Sequence, residues 1–283
     1  MPGQVRKPAV AGQFYPASRT ELTNQIEECF LGPLGPGDLP KPRQHGPREI
    51  VGIISPHAGY MFSGQTAAHG YLALARDGVP EVVVVVGLNH GRGGLLSAVQ
   101  TEGGWMTPLG TVPIEEEVAE AIATSLPGFT TDPGAFFSEH SIEVQLPFLQ
   151  YIFEEALVFV PVMMAAQDIA SARAVGEAVA GALQDRDGVI VASTDMTHYE
   201  PASAARRKDS VLIQRIEAMD PEGLVAERDA RHISMCGVGP VAAALTAAKA
   251  LGATRVASLA YSTSGDVMPS DQVVGYYAAA IRR

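Results

Sequence analysis

Six short β-branched runs punctuate the chain, and the stretches between them repeat their apolar positions with a helical period. Runs 50–55, 82–87, 157–162 and 189–193 are continuous rather than alternating, the pattern of strands buried on both faces. Two further β-branched runs, 255–261 and 273–281, follow late in the chain. Helical spacing covers 20–30, 65–76, 114–125, 142–153, 169–184, 204–218 and 238–251. Strands alternating with helices predict a mostly parallel sheet covered on both faces, a three-layer α/β/α sandwich. The short segment 265–271 reads as a turn between neighbouring strands, which would give the sheet an antiparallel edge. Residues 31–49 are rich in Pro and Gly and carry little periodicity, so they read as a surface loop. No internal repeat and no change of composition divides the chain, so 1–283 reads as one domain.

The composition narrows the function classes. Hydrophobic residues make up 47% and charged residues 18% of 283, an ordinary globular balance able to bury a core without staples. The formal net charge is −11, with a pI of about 5.1. Such a chain lacks the positive footprint that neutralises phosphates, so neither nucleic acid nor an anionic membrane is an expected partner. The one basic run, Arg206-Arg207-Lys208, falls in a helical stretch and reads as a solvated face. The 2 cysteines, Cys29 and Cys236, form no CxxC pair and no disulfide framework, which suits a reducing cytoplasm. The opening residues lead into no apolar signal region, and the longest apolar run is far too short to cross a bilayer.

The candidate chemistry sits at strand ends. Strand 50–55 runs into Pro56-His57-Ala58-Gly59-Tyr60, strand 82–87 into Leu88-Asn89-His90-Gly91, and strand 189–193 into Thr194-Asp195-Met196-Thr197-His198. In an open parallel sheet the loops at the carboxyl ends share one edge, where ligands bind. His57, His90, Asp195 and His198 thus come to that edge from three strands, with Gly59, Gly87 and Gly91 allowing close backbone approach. Cys236 lies just ahead of helix 238–251, whose positive end favours thiolate, the form that binds metal. His57, His90 and Cys236 would make three ligands with a position left open, the arrangement of catalytic more than of structural metal sites. Glu139 and Ser141 are candidate caps for helix 142–153, and His140 would point into the pocket.

Each residue also has a plainer reading. His57 and His90 can be loop histidines satisfied by backbone, and Cys236 a small buried apolar residue. Asp195 can serve only to orient its loop, and His198 can be a surface histidine. Cys29 reads as packing, His45 as exposed, His69 as structural and His232 as a second-choice ligand. Trp105, the only tryptophan, reads as either pocket wall or packing. The chain has no GxSxG, HExxH, GxxxxGK[ST] or GxGxxG, which argues against common α/β-hydrolases, zincins, P-loop NTPases and dinucleotide binders.

Several motifs, in order, resemble those of the Memo family. They are Arg6-Lys7-Pro8-Ala9-Val10-Ala11-Gly12-Gln13-Phe14-Tyr15-Pro16, then Pro56-His57-Ala58-Gly59-Tyr60, Asn89-His90-Gly91 and Glu139-His140-Ser141-Ile142-Glu143. Ser193-Thr194-Asp195-Met196-Thr197-His198-Tyr199 and Cys236-Gly237 complete the set, so the resemblance covers nearly the whole chain. It implies a fold similar to the catalytic subunit of class III extradiol dioxygenases, which use non-haem iron. It implies His57 and His90 as metal ligands, Cys236 where those enzymes carry a carboxylate, and His198 as catalytic base with Asp195 beside it. Bacterial and archaeal members resemble a component of a gene set that includes a radical-SAM enzyme, which implies a functional link to one.

Three functions follow as expectations. The first is a metal-dependent, dioxygenase-like oxidoreductase holding a divalent metal, Fe(II) before Zn or Cu, with His198 taking a proton from a small-molecule substrate. A thiolate is softer than a carboxylate and favours Zn or Cu(I). The second is a non-catalytic module that binds a peptide or metabolite in a vestigial pocket, with Tyr60 and Trp105 as apolar walls. The third is zinc-assisted hydrolysis.

Overall fold

The computed structural model describes residues 3–43, 47–91 and 97–283. His45 lies outside the described residues. The chain opens with strand β1 (Val5–Arg6), helix α1 (Arg19–Leu31), β2 (Ile50–Ser55), α2 (Tyr60–Asp77) and β3 (Val82–Leu88). Three short strands follow, β4 (Ala98–Val99), β5 (Gly104–Thr107) and β6 (Gly110–Pro113), then α3 (Glu116–Ser125) and α4 (Leu146–Phe153). Next come β7 (Phe159–Met164), α5 (Ile169–Leu183), β8 (Gly188–Ser193), β9 (His198–Glu200), α6 (Ala202–Glu217), α7 (Pro221–Ala230) and α8 (Val238–Ala250). The last elements are β10 (Arg255–Thr263), α9 (Ser264–Val267) and β11 (Val273–Arg282).

The large sheet runs β10-β11-β2-β8-β3-β7-β4, with β9 pairing β11. Its middle four strands, β2, β8, β3 and β7, are parallel. β11 and β4 add antiparallel strands on either side, and β10 pairs antiparallel with β11. The sheet is therefore mixed, with the parallel core that the continuous apolar runs predicted and an antiparallel margin at each side. Val82 to Val86 are at most 1% exposed, because helices cover both faces. Burying each such valine stabilises the fold by about 1.5–3 kcal/mol.

The order of the strands decides which helix covers which face. From β2 the chain crosses over β8 to reach β3; from β7 it crosses back over β3 to reach β8. Right-handed crossovers in opposite directions place their helices on opposite faces. Accordingly α2 packs with α1 and α4, while α5 packs with α8 and α3. The fold is a three-layer α/β/α sandwich, and a small three-stranded sheet, β1-β5-β6, lies outside it.

Local chemistry sets the differences from expectation. Helix α2 begins at Tyr60 rather than at 65, so Tyr60 sits in its first turn. The expected helix 142–153 splits into a 3₁₀ turn, Glu143–Gln145, and α4. Pro147 has no N–H to give and fits only the first turn of α4. Segment 265–271 contains the short helix α9, closed by a reciprocal Thr263–Asp266 cap, where a plain turn was expected. Helix α7 is capped by Asp220, which accepts from Gly223 N–H at 2.8 Å, with Pro221 at its first position. Described residues of 31–49 beyond Leu31 form no helix or strand before β2, in keeping with the expected loop.

One buried carboxylate ties the N-terminal segment to the rest. Glu143 is fully buried and accepts from Arg6 Nη1 (2.7 Å), Ala9 N–H (2.8 Å), Val10 N–H (3.0 Å) and the Tyr15 hydroxyl (2.7 Å). Arg6 also stacks on Trp105 at 4.1 Å. Among the described residues no helix is long and apolar enough to cross a membrane.

Candidate metal centre

β2, β8 and β3 are parallel neighbours, so the loops after them share one edge of the sheet. His57, Asp195 and His90 each stand two residues beyond the end of their strand. Cys236 comes from the residues just ahead of α8. The start of that helix is held to the loop after β8 by a 3.0 Å hydrogen bond from Gly237 N–H to Thr194 Oγ1. Glycine is required there, because a Cβ on residue 237 would lie 2.4 Å from the Ser193 carbonyl oxygen. Gly87 does the same for β3, where a Cβ would meet Ser141 Oγ at 2.6 Å.

The three candidate ligands converge. His57 Nε2 lies 3.3 Å from Cys236 Sγ, and ligand atoms of His57, His90 and Cys236 all lie within 4.8 Å of one another. A tetrahedral centre with nitrogen at 2.0–2.1 Å and sulfur at 2.3 Å separates those atoms by about 3.6 Å. The donor set therefore fits a metal ion without large rearrangement. Each imidazole is held by its other nitrogen: His57 Nδ1 is 2.8 Å from Ser193 Oγ, and His90 Nδ1 is 2.9 Å from Glu139 Oε1. Both Nε2 atoms are left for a ligand, the arrangement by which a carboxylate or hydroxyl orients a metal-binding histidine.

Electrostatics describe the metal-free pair. Burial, then the neighbouring His140 and His90 imidazoles, push the His57 pKa well below its usual value. Burial, then the Asp195 carboxylate, push the Cys236 thiol up. The helix N-terminus alone would favour thiolate, but desolvation wins, so without metal the pair is a neutral imidazole facing a thiol. Burial also tends to raise the Glu139 carboxyl. Hydrogen bonds from the His90 ring and from the N–H groups of His90 and Ser141 outweigh it and hold Glu139 well below the usual range.

Other predicted residues lie around the three. The His140 ring stacks on His90 at 4.3 Å and 18°, and it also meets His57, edge-on at 5.6 Å, and Phe14 at 4.7 Å. His90, Glu139 and His140 form a second cluster within 4.8 Å. Glu139 there already accepts from three backbone N–H groups and the His90 ring, which suits an orienting role better than a ligand's. Asp195 is buried, accepts from His57 N–H at 2.8 Å, and offers its own N–H to Cys236 Sγ at 3.3 Å. Burial pushes its pKa up to about 6. His198 is half-buried, with Nδ1 3.0 Å from the Ser234 carbonyl. A carbonyl only accepts, so the proton is assigned to Nδ1 and Nε2 keeps its lone pair.

Two predicted pocket walls are elsewhere. Trp105 is 0% exposed, packed on Phe136 and Phe159, with its indole N–H donated to Gln100 at 2.9 Å. Tyr60 is 3% exposed, with its hydroxyl on the Val144 carbonyl at 2.6 Å and its ring against Phe148. Both belong to the core, since neither ring has a free face to offer a ligand. His232 is exposed, His69 binds the Leu34 carbonyl at 3.0 Å, and Cys29 is buried. Glu139 and Ser141, expected as caps, instead bond His90 and the Leu88 backbone. Ser193 and Gln145 are supports that the sequence reading missed: Gln145 Nε2 donates to Ser193 Oγ at 2.9 Å and to the Pro56 carbonyl at 3.0 Å. Ser193 is visible in the sequence only as the last residue of a strand, and Gln145 only as a polar residue among apolar ones.

Residues 6–280 match the family model for Memo-like proteins. A MEMO1 family protein of Methanopyrus kandleri is 50% identical over 281 residues, covering 98% of this chain and 99% of the relative. One from Methanothermobacter thermautotrophicus is 46% identical over 276 residues, 96% of this chain and 98% of the relative. One from Thermotoga maritima is 44% identical over 279 residues, 98% and 99%. With a match of that extent, the chain belongs to the Memo-like protein family.

Proposed function

We propose that this chain is a metal-dependent oxidoreductase of dioxygenase-like type, with His57, His90 and Cys236 holding a single metal ion. The observation that carries the reading is the convergence of ligand atoms of His57, His90 and Cys236 to within 4.8 Å of one another, each imidazole steered from behind by its own acceptor. A bound metal would supply a Lewis-acidic, redox-capable centre with room for a further ligand. The protein's own contribution is orientation and proton handling. Ser193 and Glu139 fix the two rings, and Asp195 ties the His57 backbone to the Cys236 loop. His198 is the group to accept a substrate hydroxyl proton at Nε2, since Nδ1 is engaged with Ser234. The substrate is then a small molecule bearing an ionisable hydroxyl.

The test is metal analysis of protein purified without oxygen, followed by oxygen uptake with catecholic substrates. Expected are about one iron per chain, loss of metal in Cys236→Ala, and loss of uptake with metal retained in His198→Ala. Zinc in place of iron would move the reading to hydrolysis, which the soft thiolate also permits. Absence of any metal would overturn it in favour of a binding module.

A further inference from the structure

Glu143 touches none of the three candidate ligands, yet it anchors the segment whose Glu139 and Ser141 orient the two imidazoles. Its carboxylate gathers Arg6, the N–H groups of Ala9 and Val10, and the Tyr15 hydroxyl. Arg6 in turn donates to the Phe136 carbonyl at 2.8 Å and the Glu139 carbonyl at 2.6 Å. One guanidinium therefore clasps the 136–143 stretch at two carbonyls and one side chain.

That stretch carries the orienting groups. Glu139 holds His90, and the Ser141 carbonyl accepts the Ser193 hydroxyl at 2.6 Å, which in turn sets His57. Gln145, two residues past Glu143, completes the Ser193 contact. The clasped N-terminal segment also lays Phe14 against His140 and accepts the Tyr60 N–H on the Phe14 carbonyl at 2.8 Å.

We propose that Glu143 is a positioning residue for the metal centre, acting through Arg6 and the 139–145 loop on the aim of both imidazoles. The inference rests on the metal-binding reading above. A buried ion pair is a poor source of net stability, because desolvating two charges offsets most of their attraction. Its value here is geometric: the pair fixes where the Phe136 and Glu139 carbonyls and the Glu143 carboxylate stand relative to β2, β3 and β8.

Cobalt(II) titration of the metal-free protein separates the outcomes, with the thiolate-to-cobalt absorption band reporting geometry at Cys236. Glu143→Gln, which keeps shape and one acceptor oxygen but loses charge, is expected to weaken cobalt binding about tenfold, as loss of outer partners does elsewhere. It should also shift the band while leaving far-UV circular dichroism unchanged. Tyr15→Phe, which removes one donor to Glu143, should shift both readouts in the same direction by less. Wild-type affinity and an unshifted band in Glu143→Gln, with only a lowered unfolding midpoint, would show an anchor without influence on the centre and overturn the proposal. If Glu143→Gln does not fold, Tyr15→Phe decides by the same criterion. A wild-type chain that takes no cobalt overturns the metal reading itself.

Discussion

His57 Nδ1 meets Ser193 Oγ at 2.8 Å, and the Ser193 hydroxyl donates its hydrogen bond to the Ser141 carbonyl at 2.6 Å. Ser193 can therefore only accept from His57, so the imidazole proton is assigned to Nδ1 and the Nε2 lone pair faces the sulfur. The strand-end serine thus selects the tautomer a metal requires. Ser193→Ala should lower metal affinity about tenfold, read by competition with a chromogenic chelator, because the ring loses its tautomer preference and its aim. Affinity equal to wild type would show that packing alone orients His57.

Gly237 gives a second test, aimed at backbone placement. A methyl group there would press on the Ser193 carbonyl and on Thr194 Cβ at 2.7 Å, so the Cys236 loop must retreat from β8. Gly237→Ala is expected to cost about 1–3 kcal/mol in urea unfolding, the usual penalty of overpacking. It should also lose metal binding out of proportion to that cost. Retained affinity in a destabilised variant would mean that the sulfur reaches the centre without this close approach.

Asp209 gives a pH-dependent prediction away from the candidate ligands. It is fully buried, accepts from Thr197 N–H at 2.9 Å and Thr197 Oγ1 at 2.5 Å, and takes the Tyr261 hydroxyl at 2.6 Å. Burial raises its pKa above the usual 3.8, against the lowering effect of those hydrogen bonds. The folded state therefore holds this proton more tightly than the unfolded chain. Asp209 favours folding most below 3.8, and that advantage is lost as pH rises through the window between 3.8 and the raised value. Asp209→Asn should remove this dependence, so the difference in unfolding free energy between variant and wild type should drift in the variant's favour across that window and then level off. Parallel curves throughout would show that Asp209 titrates normally.

The strand ends were legible because they depend on order along the chain. Continuous apolar runs mark parallel strands, and whatever follows them shares an edge, which brings His57, His90 and Asp195 together. Ring direction was not legible. Tyr60 and Trp105 stand close in sequence to glycines and site residues, yet one opens α2 and the other joins the small outer sheet, and both turn inward. Strands of two to four residues, such as β1, β4, β5 and β6, are too short to show any period. The role of Glu143 was not legible, because its partners lie more than a hundred residues earlier in the chain and no local pattern announces them.

β11 lies between β10 and β2 and also pairs β9, although it is the last strand of the large sheet to be synthesised. A ribosome that has delivered residues up to 272 has therefore made β2 without the neighbour that occupies one of its edges. Such a nascent chain presents a bare row of backbone donors and acceptors beside an apolar face, the feature through which incomplete chains stick to one another. Closure of the sheet awaits β11, so a chain cut short before residue 273 should lose far more stability than the length of that one strand suggests.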